Sequence, residues 1–234
     1  MERLDKTVSA SLGISRAEAR KAVLKGEITV GGQTVRDIGF KVDPESDEIF
    51  KNNKPLVFKK YIYYIMNKPK GVLSACEDRR QTTVIDLLPQ QSRRRNMFPV
   101  GRLDKNTTGL LIITDDGNFA HKLLSPSKKV YKEYLAELDD NVCEKVCGEF
   151  EKGVVLADGT KLLPAKIILT DKQNEVRVRI CEGKYHQIKR MFGVFGLGVN
   201  NLKRIEFAGL RLPENISEGS FRELTQQEYD ILAK

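Results

Sequence analysis

Residues Gly101-Arg102-Leu103-Asp104-Lys105-Asn106-Thr107-Thr108-Gly109 form a polar, turn-rich stretch. It runs straight into the apolar run Leu110-Leu111-Ile112-Ile113, which Thr114-Asp115-Asp116-Gly117 closes. A short apolar run bounded on both sides by turn residues dictates a buried strand. The chain must therefore contain a sheet, and the loop entering this strand carries an arginine and a carboxylate two positions apart. Catalytic and binding groups concentrate on loops held by rigid strands. The plain alternative is that Arg102 and Asp104 pair with each other or cap turns.

The 234 residues allow one large or two modest domains, and an apolar fraction of 40% is enough for real cores. Forty Lys and Arg against 32 Asp and Glu leave a formal charge of +8. That surplus suits a polyanionic partner, because cations gain by displacing phosphate counterions. No apolar run approaches the roughly 18 residues of a membrane helix, so no membrane partner is expected. The start, Met1-Glu2-Arg3-Leu4-Asp5, is charged at once and lacks a signal-type apolar region. The expectation is a soluble cytoplasmic protein, monomeric for want of any sign of an obligate dimer. Cys76, Cys143, Cys147 and Cys181 are dispersed, without a C-x-x-C pair. With only His121 and His186 beside them, a zinc site is short of ligands and reduced thiols are the default.

Residues 1–50 read as a small unit. An apolar-periodic segment from Leu4 to Leu12 ends at Gly13, and Ser15-Arg16-Ala17-Glu18 has the capping-box form that opens a helix to about Lys25. Glu27 to Val35 reads as a hairpin turning at Gly31-Gly32, with a further strand near Asp47 to Phe50. Arg16 and Arg20 share one helical stripe, as do Lys21 and Lys25. These stripes are either an ordinary solvated face or a phosphate-binding one. The order of Arg3-Leu4-Asp5-Lys6, Ser15-Arg16 and Gly26-Glu27-Ile28-Thr29-Val30-Gly31-Gly32 resembles the small RNA-binding domain named after ribosomal protein S4. That resemblance implies an RNA-binding face bearing Arg3, Lys6, Arg16, Arg20, Lys21 and Lys25. Polarity and a proline mark residues 51–59 as a linker.

Residues 60–234 alternate strands and helices. Strands are expected at Tyr61 to Met66, Leu110 to Thr114, Lys132 to Leu138, Ala165 to Leu169, Glu175 to Cys181 and Leu202 to Phe207. Helices are expected at Thr83 to Leu88, Asn118 to Leu124, Asn141 to Lys152, Lys184 to Phe195 and Thr225 to Ala233. Short connections and few parallel crossover signals predict an α+β domain on a mixed or antiparallel sheet.

Three pieces accompany the Asp104 loop: the basic turn Asn67-Lys68-Pro69-Lys70-Gly71, the strand segment Lys132-Glu133-Tyr134-Leu135, and Glu182-Gly183-Lys184-Tyr185-His186-Gln187-Ile188-Lys189-Arg190-Met191-Phe192. In this order they resemble the pseudouridine synthases that modify small-subunit ribosomal RNA, over nearly the whole chain. The resemblance implies Asp104 as catalytic aspartate, Tyr134 as the tyrosine stacking on the target base and Lys189 as the cation paired with the aspartate. It also implies RNA contacts from Arg102, Lys70 and Arg190. Glu133 departs from the pattern, where a small residue is expected, and Tyr131 lies nearby with opposite strand parity. The implied reaction converts uridine to pseudouridine in 16S rRNA, at position 516, and needs no cofactor because no oxidation state changes. Rival readings are a 23S rRNA target, a non-catalytic ribosome-assembly factor, and a metal-dependent phosphodiesterase using Asp104, Asp115 and Asp116.

Overall fold

The computed structural model describes residues 1–44, 46–56 and 58–234. Glu45, in the expected first unit, and Val57, in the expected linker, lie outside the described residues. The chain divides into two compact units, 1–62 with 88–96, and 63–87 with 97–234.

In the first unit, strand β1 (Glu2–Arg3) leads into helices α1 (Leu4–Leu12) and α2 (Arg16–Leu24). Gly13 ends α1 at φ 65°, and the Ser15/Glu18 capping box starts α2 with both of its hydrogen bonds present. Strands β2 (Ile28–Val30), β3 (Gln33–Thr34), β4 (Lys41–Val42), β5 (Ile49–Lys51) and β6 (Lys54–Pro55) follow. β4 pairs β1, and the others form a sheet ordered β3-β2-β5-β6. Leu4, Val8, Ala19, Val23, Ile28, Val42 and Ile49 make the core.

The expected linker needs correcting. Lys51 to Pro55 is a hairpin of this sheet, with Lys51 paired to Lys54 and Phe50 to Pro55. Asn52 and Asn53 hold φ of 48° and 63°, the left-handed pair that a tight two-residue turn requires. Their polarity reports that turn. The expected helix from Thr83 to Leu88 is also absent: Asp86 accepts from both the amide and the hydroxyl of Thr83, and this local bonding closes turns in place of a helix.

The second unit is built on a nine-stranded sheet among the described residues. Its elements are β7 (Tyr63–Lys68), β8 (Phe98–Pro99), β9 (Thr108–Thr114), α3 (Gly117–Leu124), β10 (Lys132–Leu138), α4 (Glu144–Lys152), β11 (Lys166–Leu169) and β12 (Glu175–Ile180). Then come α5 (Gln187–Gly193), β13 (Val199–Phe207), β14 (Leu210–Arg211), β15 (Phe221–Glu223) and α6 (Gln226–Ala233). The order is β11-β12-β10-β13-β9-β7-β15, with β14 on β13 and β8 on β9. Among the described strand pairs only β9 and β13 run parallel, beside one isolated parallel bridge between Leu73 and Thr83. β9 is buried from both sides: Leu110 and Ile112 join a core with Phe119, Leu123, Phe207 and Leu232, while Leu111 and Ile113 point the other way and are equally covered. At roughly 1.5–3 kcal/mol for each such side chain, this strand anchors the unit. No helix among the described residues is long and apolar enough to cross a membrane.

Candidate active site

Asp104 lies on the loop that enters β9, and the backbone on both sides of it is pinned. The Leu103 amide donates to Ser74 Oγ at 3.1 Å, and the Ser74 hydroxyl donates back to the Leu103 carbonyl at 3.0 Å. Lys68, fully buried at the end of β7, donates its ammonium to the carbonyls of Pro69, Lys105 and Thr107 at 3.0, 3.1 and 3.0 Å. The Thr107 amide closes a turn onto the Asp104 carbonyl. Burial pulls the Lys68 pKa down to about 8, with the Asp104 and Glu218 carboxylates acting in the opposite direction. Lys68 therefore stays charged at neutral pH and makes three charge-assisted hydrogen bonds. Lys70, the residue assigned to RNA from this turn, is exposed, and its amide donates to Glu218.

The facing wall comes from β10 and the segment leading into α5. Tyr134 is buried between Val178 of β12 and Arg204 of β13. The cleft is lined by Arg102, Asp104, Tyr134, Lys184, His186 and Lys189 among others, and Asp104 is its one carboxylate among the described residues. The structure thus brings together Asp104, Tyr134, Lys189 and Arg102, the group expected from the sequence.

It does not form the expected ion pair. Lys189 lines the cleft, but the basic side chain within 4 Å of Asp104 among the described residues is the His186 imidazole, whose Nε2 lies 3.7 Å from Oδ1. The helix starts at Gln187, not Lys184, because His186 adopts a left-handed φ of 48° and the Gln187 side chain caps the Lys184 amide. Sequence periodicity cannot register a single left-handed residue at a helix start. Arg190, on the next position, is turned away to pair with Asp158.

A second cavity of about 440 Å³ shares Arg102, Tyr134, Gly183 and Lys184 with the Asp104 cleft and is further lined by Lys132 and Arg204. Arg204 is fully buried: Nε donates to the Leu110 carbonyl at 2.8 Å, the guanidinium lies 4.8 Å from the Phe207 ring centre, and Nη2 has no partner among the described residues. Burial lowers its pKa, and the neighbouring Tyr134 hydroxyl acts in the opposite direction. Arg204 escaped the sequence analysis; its one signal was an arginine inside the apolar-rich strand Leu202 to Phe207. Glu133, the unexpected glutamate, pairs with Arg177 at 3.2 Å. Tyr131 is half exposed beneath Arg179, 4.6 Å from the ring centre, and lines neither cavity.

Asp115 and Asp116 stand at the opposite end of β9 from Asp104, roughly 20 Å away at the rise of a strand. Asp116 caps α3 and accepts from the Tyr63 hydroxyl at 2.8 Å. The three carboxylates of the phosphodiesterase reading therefore do not converge.

In the first unit the buried carboxylate of Asp5 gathers Arg3, Arg16 and Arg20 at 3.2, 2.9 and 3.1 Å. Burial alone would raise the Asp5 pKa, but hydrogen bonds from the three arginines outweigh it and hold the value at about 2. One buried charge thus fixes three partly exposed guanidinium groups. Lys6 pairs with Glu2, while Lys21 and Lys25 are exposed on and just beyond α2.

Residues 62–193 match the RNA pseudouridylate synthase family, which covers more than half of the chain. The chain belongs to this family. A pseudouridine synthase is an isomerase, and this one carries an S4 domain, matched over residues 2–49. The chain is 41% identical to "Uncharacterized RNA pseudouridine synthase YtzG" of Bacillus subtilis, over 98% of both sequences. It is 35% identical to ribosomal small subunit pseudouridine synthase A of Escherichia coli, over 97% of both. The crystal structure of a pseudouridylate synthase aligns at 32% identity and a TM-score of 0.68, covering 99% of this chain and all of that one.

Proposed function

We propose that this pseudouridine synthase isomerises one uridine of small-subunit ribosomal RNA, position 516 of 16S rRNA, with Asp104 as its catalytic group and without a cofactor. The observation that carries this reading is the convergence of Asp104, Tyr134, Lys189 and Arg102 on one cleft in which Asp104 is the sole carboxylate among the described residues. Full-length similarity to a small-subunit enzyme supports the choice of RNA. The bond between N1 and the ribose breaks, the base turns, C5 takes the sugar while its proton leaves, and N1 takes up a proton, so the sum of atoms and electrons is unchanged. A positioned carboxylate serves such a step as nucleophile or base. Tyr134 offers the ring on which the extruded base stacks, offsetting part of the few kcal/mol that unstacking costs. The larger cavity beside Tyr134 is of ligand-pocket size and supplies the room that the narrow Asp104 cleft lacks. The arginines held by Asp5 supply phosphate contacts.

The test is incubation of purified protein with unmodified 16S and 23S transcripts, read by carbodiimide-dependent stops in primer extension. One stop in 16S rRNA, lost in Asp104→Asn, is expected. A stop in 23S rRNA alone would move the target to the large subunit.

A further inference from the structure

Tyr131 lines a further cavity, of about 490 Å³, that the proposed chemistry does not use. Its walls carry Lys122, Lys128, Lys129, Arg179 and the Tyr131 ring. The lysines and Arg179 are exposed, and Tyr131 keeps 48% of its surface open although Arg179 lies over the ring. The one acidic side chain in the lining, Asp116, is already engaged with the Tyr63 hydroxyl and the Phe119 amide. This cavity meets the one that holds Arg204 and Lys132 at Leu123 and Val130, and that one meets the Asp104 cleft at Arg102 and Tyr134. The three cavities share walls in succession, and basic side chains mark a path along them from the catalytic carboxylate to Tyr131.

We infer that this path is a track for the single-stranded RNA flanking the target uridine, with a flanking base stacked on Tyr131 and its phosphates on Lys122, Lys128 and Lys129. The inference rests on the reading of the chain as an RNA-modifying enzyme. An open aromatic ring set among exposed cations is the chemistry that holds unpaired strands, since every base presents a π-face and every linkage a charge. Duplex RNA offers no free face to such a ring. A second tyrosine three residues before the first, at the entry to β10, thus extends the grip on the substrate beyond the base that reacts.

The test uses the full-length protein and an unmodified 16S rRNA transcript, with Kd measured by filter binding over a range of salt. Tyr131→Ala should raise Kd about tenfold, the scale of one lost stack, while Tyr131→Phe should stay within about twofold. Lys128→Gln with Lys129→Gln should reduce the slope of log K against log salt by roughly 1.4, at about 0.7 per phosphate contact on a single strand. Pseudouridine formed at RNA concentrations below Kd should fall by about the factor by which Kd rises. Equal Kd and equal salt slope in wild type and variants would overturn the track. Wild type that binds the transcript without making pseudouridine would sink the reaction assigned above, and the Kd comparison would still decide the track. Failure of wild type to bind would overturn both.

Discussion

Gly109 of β9 faces the backbone of Arg204 across the parallel junction with β13, and no side chain fits between them. A β-carbon there would sit 2.7 Å from the Arg204 amide nitrogen and closer still to its carbonyl oxygen. Gly109 also holds φ at +102°, outside the range of other residues. The junction matters because it sets the Asp104 loop, one turn upstream, against the strand that carries Arg204 beside Tyr134. Gly109→Ala should cost about 3 kcal/mol or more, combining backbone strain with overpacking against main chain. Denaturant unfolding measures it, and a loss below about 1 kcal/mol would show that the junction gives way easily.

Lys68 should matter as much to the reaction as to the fold. Lys68→Met keeps the apolar stem but leaves three carbonyls, that of Thr107 buried, without their donor, at a cost of about 1–3 kcal/mol. Because two of those carbonyls, of Lys105 and Thr107, belong to the loop just after Asp104, kcat should fall by at least about tenfold while RNA affinity holds. Lys68→Arg should not restore activity, since a planar guanidinium cannot copy the three-way donation of an ammonium. Full activity in either variant would show that the loop keeps its shape unaided.

At Tyr134 the ring and the hydroxyl can be separated. Tyr134→Phe keeps the stacking face and should retain activity within about tenfold. Tyr134→Ala removes one stack, roughly 1–3 kcal/mol, and should lower kcat/KM by tenfold to a hundredfold. Equal losses in the two variants would assign the work to the hydroxyl beside Arg204.

The S4 unit should respond to acid through Asp5. Its folded pKa of about 2 lies below the ordinary 3.8, so its contribution is complete above about pH 4. It is lost as pH falls through about 2, and amounts to no more than about 2 kcal/mol. Asp5→Asn should flatten stability over this window and loosen Arg3, Arg16 and Arg20 together. Amide exchange in α1 and α2 against pH reads the effect; identical acid limbs in the two proteins would contradict it.

Much of the architecture is legible where one residue pattern dictates one local structure. The capping box at Ser15, the buried run from Leu110 and the strand Lys132–Leu138 stand as the sequence predicts. The failures share a cause: backbone geometry outside periodicity. Asn52-Asn53 reads as a linker because its polarity is visible and its left-handed turn is not. Residues 88–96 return to the first unit, and no local pattern encodes a return. At the site, chemistry-bearing residues on loops are legible, but Lys68 and Arg204 are not. A lone cation in a strand carries no mark of being buried until its three-dimensional partners are known, and His186 gains its place beside Asp104 from one left-handed residue.

The central claim is that Asp104 performs an isomerisation and does not serve to hold RNA. It is tested most directly on 16S transcript carrying tritium at C5 of uridine, since joining C5 to the sugar expels that hydrogen. Wild type should release one equivalent of tritium per RNA. Asp104→Asn should release none while binding the transcript with Kd within about twofold of wild type. Tritium release by Asp104→Asn at the wild-type rate would contradict the account.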